Sequence, residues 1–183
     1  MRLFLAIPLA GPVLATLSQL TARLRSAAAG LRWSAEENWH VTLQFLGSVR
    51  EEQYKCLVAS LAQLRSPPVP IQLAELGIFD HAGIFYAEVD LTPQLVNLQQ
   101  SIVAATAPCG FEAEARPFHP HITLARAKDS ARPRDLSGLQ ASTRVRPDFP
   151  RFTASEFLLY ESHPSALGSI YAVRQRFPLR GKA

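Results

Sequence analysis

A four-residue pattern that occurs twice constrains this chain more than any other feature of its sequence. HVTL occupies residues 40–43 and HITL occupies residues 121–124. A random arrangement of the same composition would contain only roughly 0.2 His-x-Thr pairs. Each copy alternates polar with apolar or β-branched residues, which predicts a strand. Because side chains alternate along a strand, each copy places an imidazole and a hydroxyl on one face and two apolar anchors on the other.

The remaining segments predict an α+β fold. Strand-like runs occupy residues 3–9, 39–47, 69–79, 84–90, 152–162 and 169–179, in addition to the second histidine segment. Apolar residues recur at helical spacing over residues 13–24 and 51–64. Thr92 followed by Pro93 is typical of the start of a third helix, which runs toward Cys109. Residues 80–83 predict a hairpin turn.

Composition limits the class of protein. The chain has 183 residues, 48% hydrophobic and 19% charged, so residues 1–183 can bury a core as one domain or as two packed lobes. Its net charge of +4 is compatible with an anionic partner but comes without a dense basic block. Pro8, Gly11 and Pro12 interrupt the first apolar run, which favours a strand and a helix over a secretory signal. No other run is long enough to cross a membrane.

The chain contains two cysteines, Cys56 and Cys109. They form no CxxC and no metal-ligand spacing, so the sequence predicts neither a disulfide framework nor a zinc knuckle. A reducing, cytoplasmic location is therefore the default expectation.

A basic segment follows the second histidine motif. Residues 127–151 carry six basic and three acidic side chains with several proline and glycine residues, which predicts a long loop. Long loops in compact domains are often binding elements, but a solvated surface loop explains the same residues equally well. The basic residues are Lys128, Arg132, Arg134, Arg144, Arg146 and Arg151, and the acidic ones are Asp129, Asp135 and Asp148.

The paired histidines suit acid–base chemistry at phosphorus. Histidine can act as acid and as base near neutral pH, so two imidazoles can divide these roles across one reacting centre. The hydroxyls of Thr42 and Thr123 can donate to oxygens of that centre, and Arg126 can add a bidentate, charge-assisted contact. Arg126 follows His121 by five residues, so it lies on the opposite strand face unless the strand ends or bulges first.

A metal site is the alternative use of these histidines. His119 and His121 form an HxH pattern to which His40 is a possible third zinc ligand. Pro120 disfavours a regular strand there, and no Asp, Glu or Cys lies at a useful spacing. The sequence therefore favours no metal, with His119 supporting the site or the fold. We assign His81 to a turn and His163 to a loop.

The motifs and their flanks resemble a known family. ENW and FHP precede the two motifs, and QFLG and AR follow them, a pattern similar to the paired HxTx motifs of the two-histidine (2H) phosphoesterases. Within that superfamily the chain most resembles the bacterial and archaeal RNA 2′,3′-cyclic phosphodiesterases, also called 2′-5′ RNA ligases. The likeness extends from RLFLAIPL near the start to EFLLYES near the end.

This resemblance implies a bilobal α+β fold in which two antiparallel sheets, related by pseudo-twofold symmetry, flank a central cleft with helices outside. It implies an enzyme that opens the 2′,3′-cyclic phosphate of an RNA end to a 2′-phosphate without metal or cofactor. Separately, we expect the chain to be a monomer. In that family the first histidine donates a proton and the second accepts one, and these roles fall to His40 and His121. With a 5′-hydroxyl in place of water, the same machinery would join RNA ends through a 2′-5′ linkage.

Two other functions stay open at this point. The substrate can instead be a small cyclic phosphate, such as a nucleoside 2′,3′-cyclic phosphate or an ADP-ribose cyclic phosphate. A non-catalytic RNA-binding cleft is the third hypothesis, although binding alone needs neither an acid nor a base. Phe45 and Phe118 are candidates for stacking on a nucleobase, and we assign both to the core instead.

Overall fold

The computed structural model of the chain describes residues 1–26, 28, 30–128, 133–144, 147–165 and 168–181. These ranges contain three α-helices, none of them long and apolar enough to cross a membrane. The helices are α1 (Pro12–Arg25), α2 (Glu51–Ala62) and α3 (Pro93–Thr106). The strands are β1 (Arg2–Pro8), β2 (Leu31–Trp33), β3 (His40–Ser48), β4 (Val69–Ile71), β5 (Leu73–Phe79), β6 (Ile84–Val89), β7 (His121–Ala127), β8 (Phe152–Ala154), β9 (Glu156–Ser165) and β10 (Gly168–Pro178).

Two four-stranded antiparallel sheets carry the two motifs. The first has the order β10-β9-β1-β3 and the second has the order β2-β7-β6-β5, while β4 and β8 pair separately. The chain runs from β1 through α1 and β2 to β3, and from β6 through α3 to β7. Each sheet therefore contains two adjacent antiparallel strands whose connection includes a helix. β9 and β5 then pair on the far sides of β1 and β6. The predicted α+β fold with a pseudo-twofold relation is confirmed.

The helices cover one face of the sheets and leave the other face to the motifs. Leu3, Leu5 and Ile7 of β1 lie in the main core together with apolar residues of all three helices. The intervening Phe4 and Ala6 lie in a separate, smaller cluster on the opposite face. The alternation of a strand thus separates a structural face from the face on which the histidines lie.

β3 and β7 each contain a β-bulge directly after the His-x-Thr triplet. The register of β3 against β1 skips Leu43, and the register of β7 against β6 skips Leu124. From the histidine onward, both segments are half-buried, buried, half-buried, buried, buried and exposed. Because a bulge reverses the alternation, the sixth residue of each segment returns to the histidine face. That residue is Phe45 in β3 and Arg126 in β7.

Two predicted strands are each interrupted. Residues 69–79 divide into β4 and β5, and residues 152–162 divide into β8 and the start of β9. At the first break the backbone carbonyl of Gln72 accepts from Asp90, and its side-chain amide donates to the carbonyl of Phe149. The prediction of continuous strands was wrong because alternation along a segment does not reveal where the segment changes its pairing partner.

The prediction that the two cysteines form no disulfide was also wrong. Cys56 of α2 is bonded to Cys109, which follows α3, with 5.7 Å between their Cα atoms. The cysteines are 53 residues apart in sequence, and only the packing of α2 against α3 brings them together. The bond joins α2 to the short 3-10 turn that follows α3.

The basic segment at residues 127–151 is partly folded. Its described residues include 3-10 turns at Pro133–Leu139 and Ser142–Arg144, and Arg151 donates to the side chain of Gln72. Three apolar side chains of the segment are buried in the main core: Leu136, Leu139 and Phe149. A purely solvated loop is therefore incorrect for the described part. Arg132 and Arg146 lie outside the described residues, and the binding role of the segment stays a prediction.

Candidate active site

His40 and His121 are held in the same way. Each begins its strand, and its ring Nδ1 lies within hydrogen-bond distance of the carbonyl oxygen two residues earlier. The distances are 2.7 Å from His40 to Asn38 and 2.8 Å from His121 to His119. Because a carbonyl only accepts, Nδ1 carries the proton and donates it. In the neutral rings, Nε2 is therefore left with a free lone pair that can accept a proton from a ligand.

His40 and His121 come from different sheets and lie close enough to influence each other. Burial lowers the pKa of His40 from 6.5 to about 4, the hydrogen bond to Asn38 opposes this, and positive charge on His121 and Arg126 lowers it further. The last two residues belong to the other sheet, so their influence on His40 places both motif faces at one site. The pKa of His121 is also lowered, by burial first and then by charge on His119 and Arg126.

Aromatic rings surround His40. Its ring centroid lies 4.8 Å from that of Phe4, 5.3 Å from that of Tyr171 and 5.9 Å from that of Tyr160. These residues come from β1, β10 and β9, so three strands of the first sheet contribute to one environment. Rings in place of water disfavour the charged imidazole, which explains the direction of the pKa change.

The surroundings of His121 repeat this pattern with different residues. Its ring lies 5.1 Å from Phe79, 5.4 Å from Tyr86 and 6.1 Å from His119, measured between centroids. Gly77 lies beneath Tyr86, and a Cβ at this position would overlap the tyrosine ring. The glycine thus allows Tyr86 to lie flat against β5 and beside His121.

The neutral state of His40 makes protein stability depend on pH. Its pKa falls from 6.5 in the unfolded chain to about 4 in the folded one, so the unfolded state binds the extra proton between these values. The contribution of the neutral His40 imidazole to the free energy of unfolding is complete above about pH 6.5 and is lost as the pH falls toward about 4. We expect a change from pH 7 to pH 4.5 to destabilise wild type by roughly 2 to 3 kcal/mol more than His40→Gln.

Urea unfolding at the two pH values measures this difference. The exposed His81 provides the control, because His81→Gln should lose the same free energy of unfolding as wild type. Equal losses in wild type and in His40→Gln would contradict the burial of a neutral imidazole at this position.

Arg126 lies on the face of His121, which resolves its uncertain strand phase. The bulge at Leu124 supplies the change of phase that regular alternation lacks. The residue as a whole is exposed, yet burial of the guanidinium group lowers the pKa of Arg126, Tyr171 opposes this and Arg32 adds to it. An arginine remains protonated at any pH at which the protein functions, so the cleft carries a permanent positive charge.

Thr42 and Thr123 share the face of the histidines. Both are half-buried, as are His40 and His121. Thr42 pairs with Ala6 on β1, and Thr123 pairs with Tyr86 on β6, so the hydroxyls occupy equivalent places in the two sheets. The structure therefore brings together all five residues that the sequence selected: His40, Thr42, His121, Thr123 and Arg126.

The other histidines lie at different distances from this site. His119 lies beside His121, and its Nε2 is 3.5 Å from a carboxylate oxygen of Glu88. His81 lies in a 3-10 turn, as predicted. His163 lies in β9 and pairs with Ile170, so its assignment to a loop was wrong because the β9–β10 hairpin continues through Pro164. Among the described residues, no three His, Cys, Asp or Glu side chains are grouped so that they could hold a metal ion.

The core assignment of the two phenylalanines was correct for one and wrong for the other. Phe118 is partly buried against the main core. Phe45 is 60% exposed on the cleft face, because the bulge turns it out of the core side of β3.

Sequence reasoning missed Tyr160 and Tyr171. Both lie in strands that were predicted, but alternation assigns them only to a face of their own strand. Their proximity to His40 depends on the order β10-β9-β1-β3, which joins residues from opposite ends of the chain.

Comparison with known proteins places the chain in a family. The sequence profile of the 2′-5′ RNA ligase superfamily matches residues 13–165. The chain belongs to this superfamily. One superfamily relative, the RNA 2′,3′-cyclic phosphodiesterase of Geobacillus stearothermophilus, is 30% identical over an alignment of 186 positions that covers 97% of this chain. The chain spans only 57% of that relative's length.

Two further superfamily relatives match over most of their length. The RNA 2′,3′-cyclic phosphodiesterase of Escherichia coli is 32% identical over 163 residues, which cover 88% of this chain and 86% of the relative. The crystal structure of E. coli LigT in complex with 3′-AMP matches with a TM-score of 0.81 and 29% identity, over 97% of each chain. The superfamily fold thus extends over nearly the whole chain.

Proposed function

We propose that this chain is an RNA 2′,3′-cyclic phosphodiesterase that converts a terminal cyclic phosphate to a 2′-phosphate without a metal ion. The observation that supports it most strongly is the pair of identically held imidazoles. His40 and His121 each leave Nε2 free, come from opposite sheets and share a cleft with Arg126. An acid and a base on opposite sides of an anion-binding group are what in-line displacement at phosphorus requires.

The reaction follows from this placement. His121 removes a proton from water as the water attacks phosphorus, and His40 protonates the departing 3′-oxygen. Thr42, Thr123 and Arg126 stabilise the negative charge on the non-bridging oxygens. With the 5′-hydroxyl of a second RNA in place of water as the nucleophile, the same ring opening forms a 2′-5′ linkage, and in water hydrolysis prevails.

The protonation states require a contribution from the substrate. Burial lowers the pKa of both histidines, so the empty site holds neutral imidazoles at neutral pH. A neutral His121 is ready to act as a base. The negative charge of a bound phosphodiester favours the cationic form of a nearby imidazole and raises its pKa, which supplies the proton that His40 delivers.

A phosphodiesterase for small cyclic phosphates is the second candidate. The complex of E. coli LigT with 3′-AMP supports it, because a mononucleotide is enough to bind to that relative. A nucleoside 2′,3′-cyclic phosphate or an ADP-ribose cyclic phosphate would present the same reacting group to His40 and His121. The two candidates therefore differ in what they contact beyond the phosphate.

Hydrolysis of a short RNA that ends in a 2′,3′-cyclic phosphate tests the proposal. We expect turnover in EDTA, a bell-shaped pH dependence and a product with a 2′-phosphate and no 3′-phosphate. The same assay with nucleoside 2′,3′-cyclic phosphates measures the contribution of the rest of the RNA. Turnover of mononucleotides alone would favour the second candidate, whereas RNA binding without turnover would favour a recognition protein. Strict dependence on an added divalent metal would contradict the mechanism.

We further propose that the chain acts as a single bilobal domain and as a cytoplasmic monomer. The main core supports the first part, because it includes residues of both sheets and of all three helices. In a reducing cytoplasm the bond between Cys56 and Cys109 would be open to reduction. Sedimentation tests whether the chain is a monomer. Thiol titration of protein purified under anaerobic conditions tests whether the bond between Cys56 and Cys109 is reduced.

A further inference from the structure

Two tyrosines pack against His40, and the mechanism above uses neither. The ring of Tyr171 meets that of His40 at 82° with 5.3 Å between centroids, and the ring of Tyr160 lies at 5.9 Å. Tyr171 also packs edge-on against Phe4 at 4.9 Å. Tyr160 and Tyr171 come from the adjacent strands β9 and β10, so they approach the same imidazole from one side.

The hydroxyls of the two tyrosines have different neighbours. Burial raises the pKa of Tyr160, and the next causes are Arg176 and Glu156, which form an ion pair with each other. Tyr171 instead interacts with the guanidinium group of Arg126, which lies on the opposite sheet. Of the two hydroxyls, that of Tyr171 is therefore the one associated with Arg126 and the second sheet. It makes no hydrogen bond to any residue that the structure describes.

A clamp at Asn38 keeps Tyr171 in place relative to His40. The backbone carbonyl of Asn38 accepts the hydrogen bond from Nδ1 of His40, and its side-chain amide donates to the carbonyl of Ser169 at 3.0 Å. Ser169 lies two residues before Tyr171 in β10. One residue thus holds both the imidazole and the strand that carries the tyrosine.

We propose that Tyr171 is a further catalytic residue, whose hydroxyl donates a hydrogen bond to a non-bridging oxygen of the cyclic phosphate beside Arg126. This inference rests on the proposed function. A phenol is a neutral group whose O–H can donate a hydrogen bond. A bond from such a donor to an anionic oxygen is charge-assisted and is strengthened where neighbouring rings exclude water. No covalent bond to the tyrosine is formed, and no proton leaves it.

The variant Tyr171→Phe tests this role, because it removes the hydroxyl and keeps the ring that packs on His40. We expect kcat/KM for RNA that ends in a 2′,3′-cyclic phosphate to fall about 10- to 100-fold. We also expect inorganic phosphate, used as a competitive inhibitor, to bind more weakly by a similar factor. Tyr160→Phe is the matched comparison, and its losses should be much smaller because the charged groups that influence Tyr160 are Arg176 and Glu156 and not Arg126.

The outcomes separate this inference from the proposed function. If wild type hydrolyses the RNA and Tyr171→Phe equals it in kcat/KM and phosphate inhibition, the role of Tyr171 is overturned and the proposed function stands. Equal losses in Tyr160→Phe and Tyr171→Phe would also overturn it, since they would indicate a shared packing effect. If wild type has no activity, the proposed function fails. Calorimetry with inorganic phosphate then tests the contact between Tyr171 and the phosphate by itself. Weaker binding by Tyr171→Phe then supports the contact, and equal binding overturns it.

Discussion

Replacing His40 or His121 with alanine is expected to lower kcat/KM for RNA that ends in a 2′,3′-cyclic phosphate by about 10²- to 10⁴-fold each. Each substitution removes the group that moves one of the two protons, while Arg126 and the two threonines remain to bind the phosphate. The measurement is hydrolysis in EDTA, with 2′- and 3′-phosphate products resolved. Retention of nearly full activity by either variant would contradict a joint site.

The kcat/KM of the double variant should be only slightly lower than that of the less active single variant. Once one proton transfer is missing, the concerted reaction no longer gains from the other, so the two losses do not add. His81→Ala and His163→Ala are matched controls, since one residue lies in an exposed turn and the other lies toward the end of the β9–β10 hairpin. Both controls should retain wild-type activity. Circular dichroism of all variants separates loss of chemistry from loss of fold.

A change in the substrate distinguishes the acid from the base. With sulfur in place of the bridging 3′-oxygen, the leaving group is a thiolate that departs without prior protonation. The loss in His40→Ala should then become much smaller, and the loss in His121→Ala should remain. The opposite result would exchange the two roles while leaving the site intact.

Replacing Arg126 with alanine is expected to lower kcat about 10²- to 10³-fold, because the transition state loses its permanent cationic donor. Arg126→Lys should recover only part of this loss, since an ammonium group keeps the charge but lacks the planar fork that contacts two oxygens at once. Phosphate inhibition measured on the same variants shows how much of the effect is already present in binding.

Arg174→Ala is the control for general loss of positive charge. Its guanidinium lies 5.8 Å from the ring centroid of Tyr54 on α2 and 3.4 Å from a carboxylate oxygen of Glu161. We expect its activity to remain within about twofold of wild type, as for most exposed ion pairs. An equal loss in Arg174→Ala and Arg126→Ala would mean that long-range attraction of RNA, and not contact with the phosphate, explains the arginine effect.

Local patterns were sufficient to predict most elements and both motif strands. The Thr92–Pro93 start of α3 is an example, because the threonine hydroxyl accepts from the backbone of Leu95 as an N-cap does. The histidine faces of β3 and β7 were predictable for the same reason, since strand alternation depends only on neighbouring residues.

Features that depend on partners distant in sequence were not predictable. The bulges that direct Phe45 and Arg126 into the cleft exist only in the pairing of β3 with β1 and of β7 with β6. The bond between Cys56 and Cys109 depends on helix packing. Tyr171 approaches His40 because β10 and β3 belong to one sheet although they lie at opposite ends of the chain.

The side chains that the shared bulge places in the cleft make its two halves chemically different. A site with perfect twofold symmetry would accept a ligand equally well in two orientations related by a half-turn. At the equivalent positions 45 and 126 this chain has an exposed aromatic ring and a cation, so the two orientations differ in free energy. A difference of about 1.4 kcal/mol already gives a tenfold preference. In the proposed reaction, orientation decides which ribose oxygen faces the acid. We therefore infer that the difference between these two side chains favours one regiochemistry of ring opening.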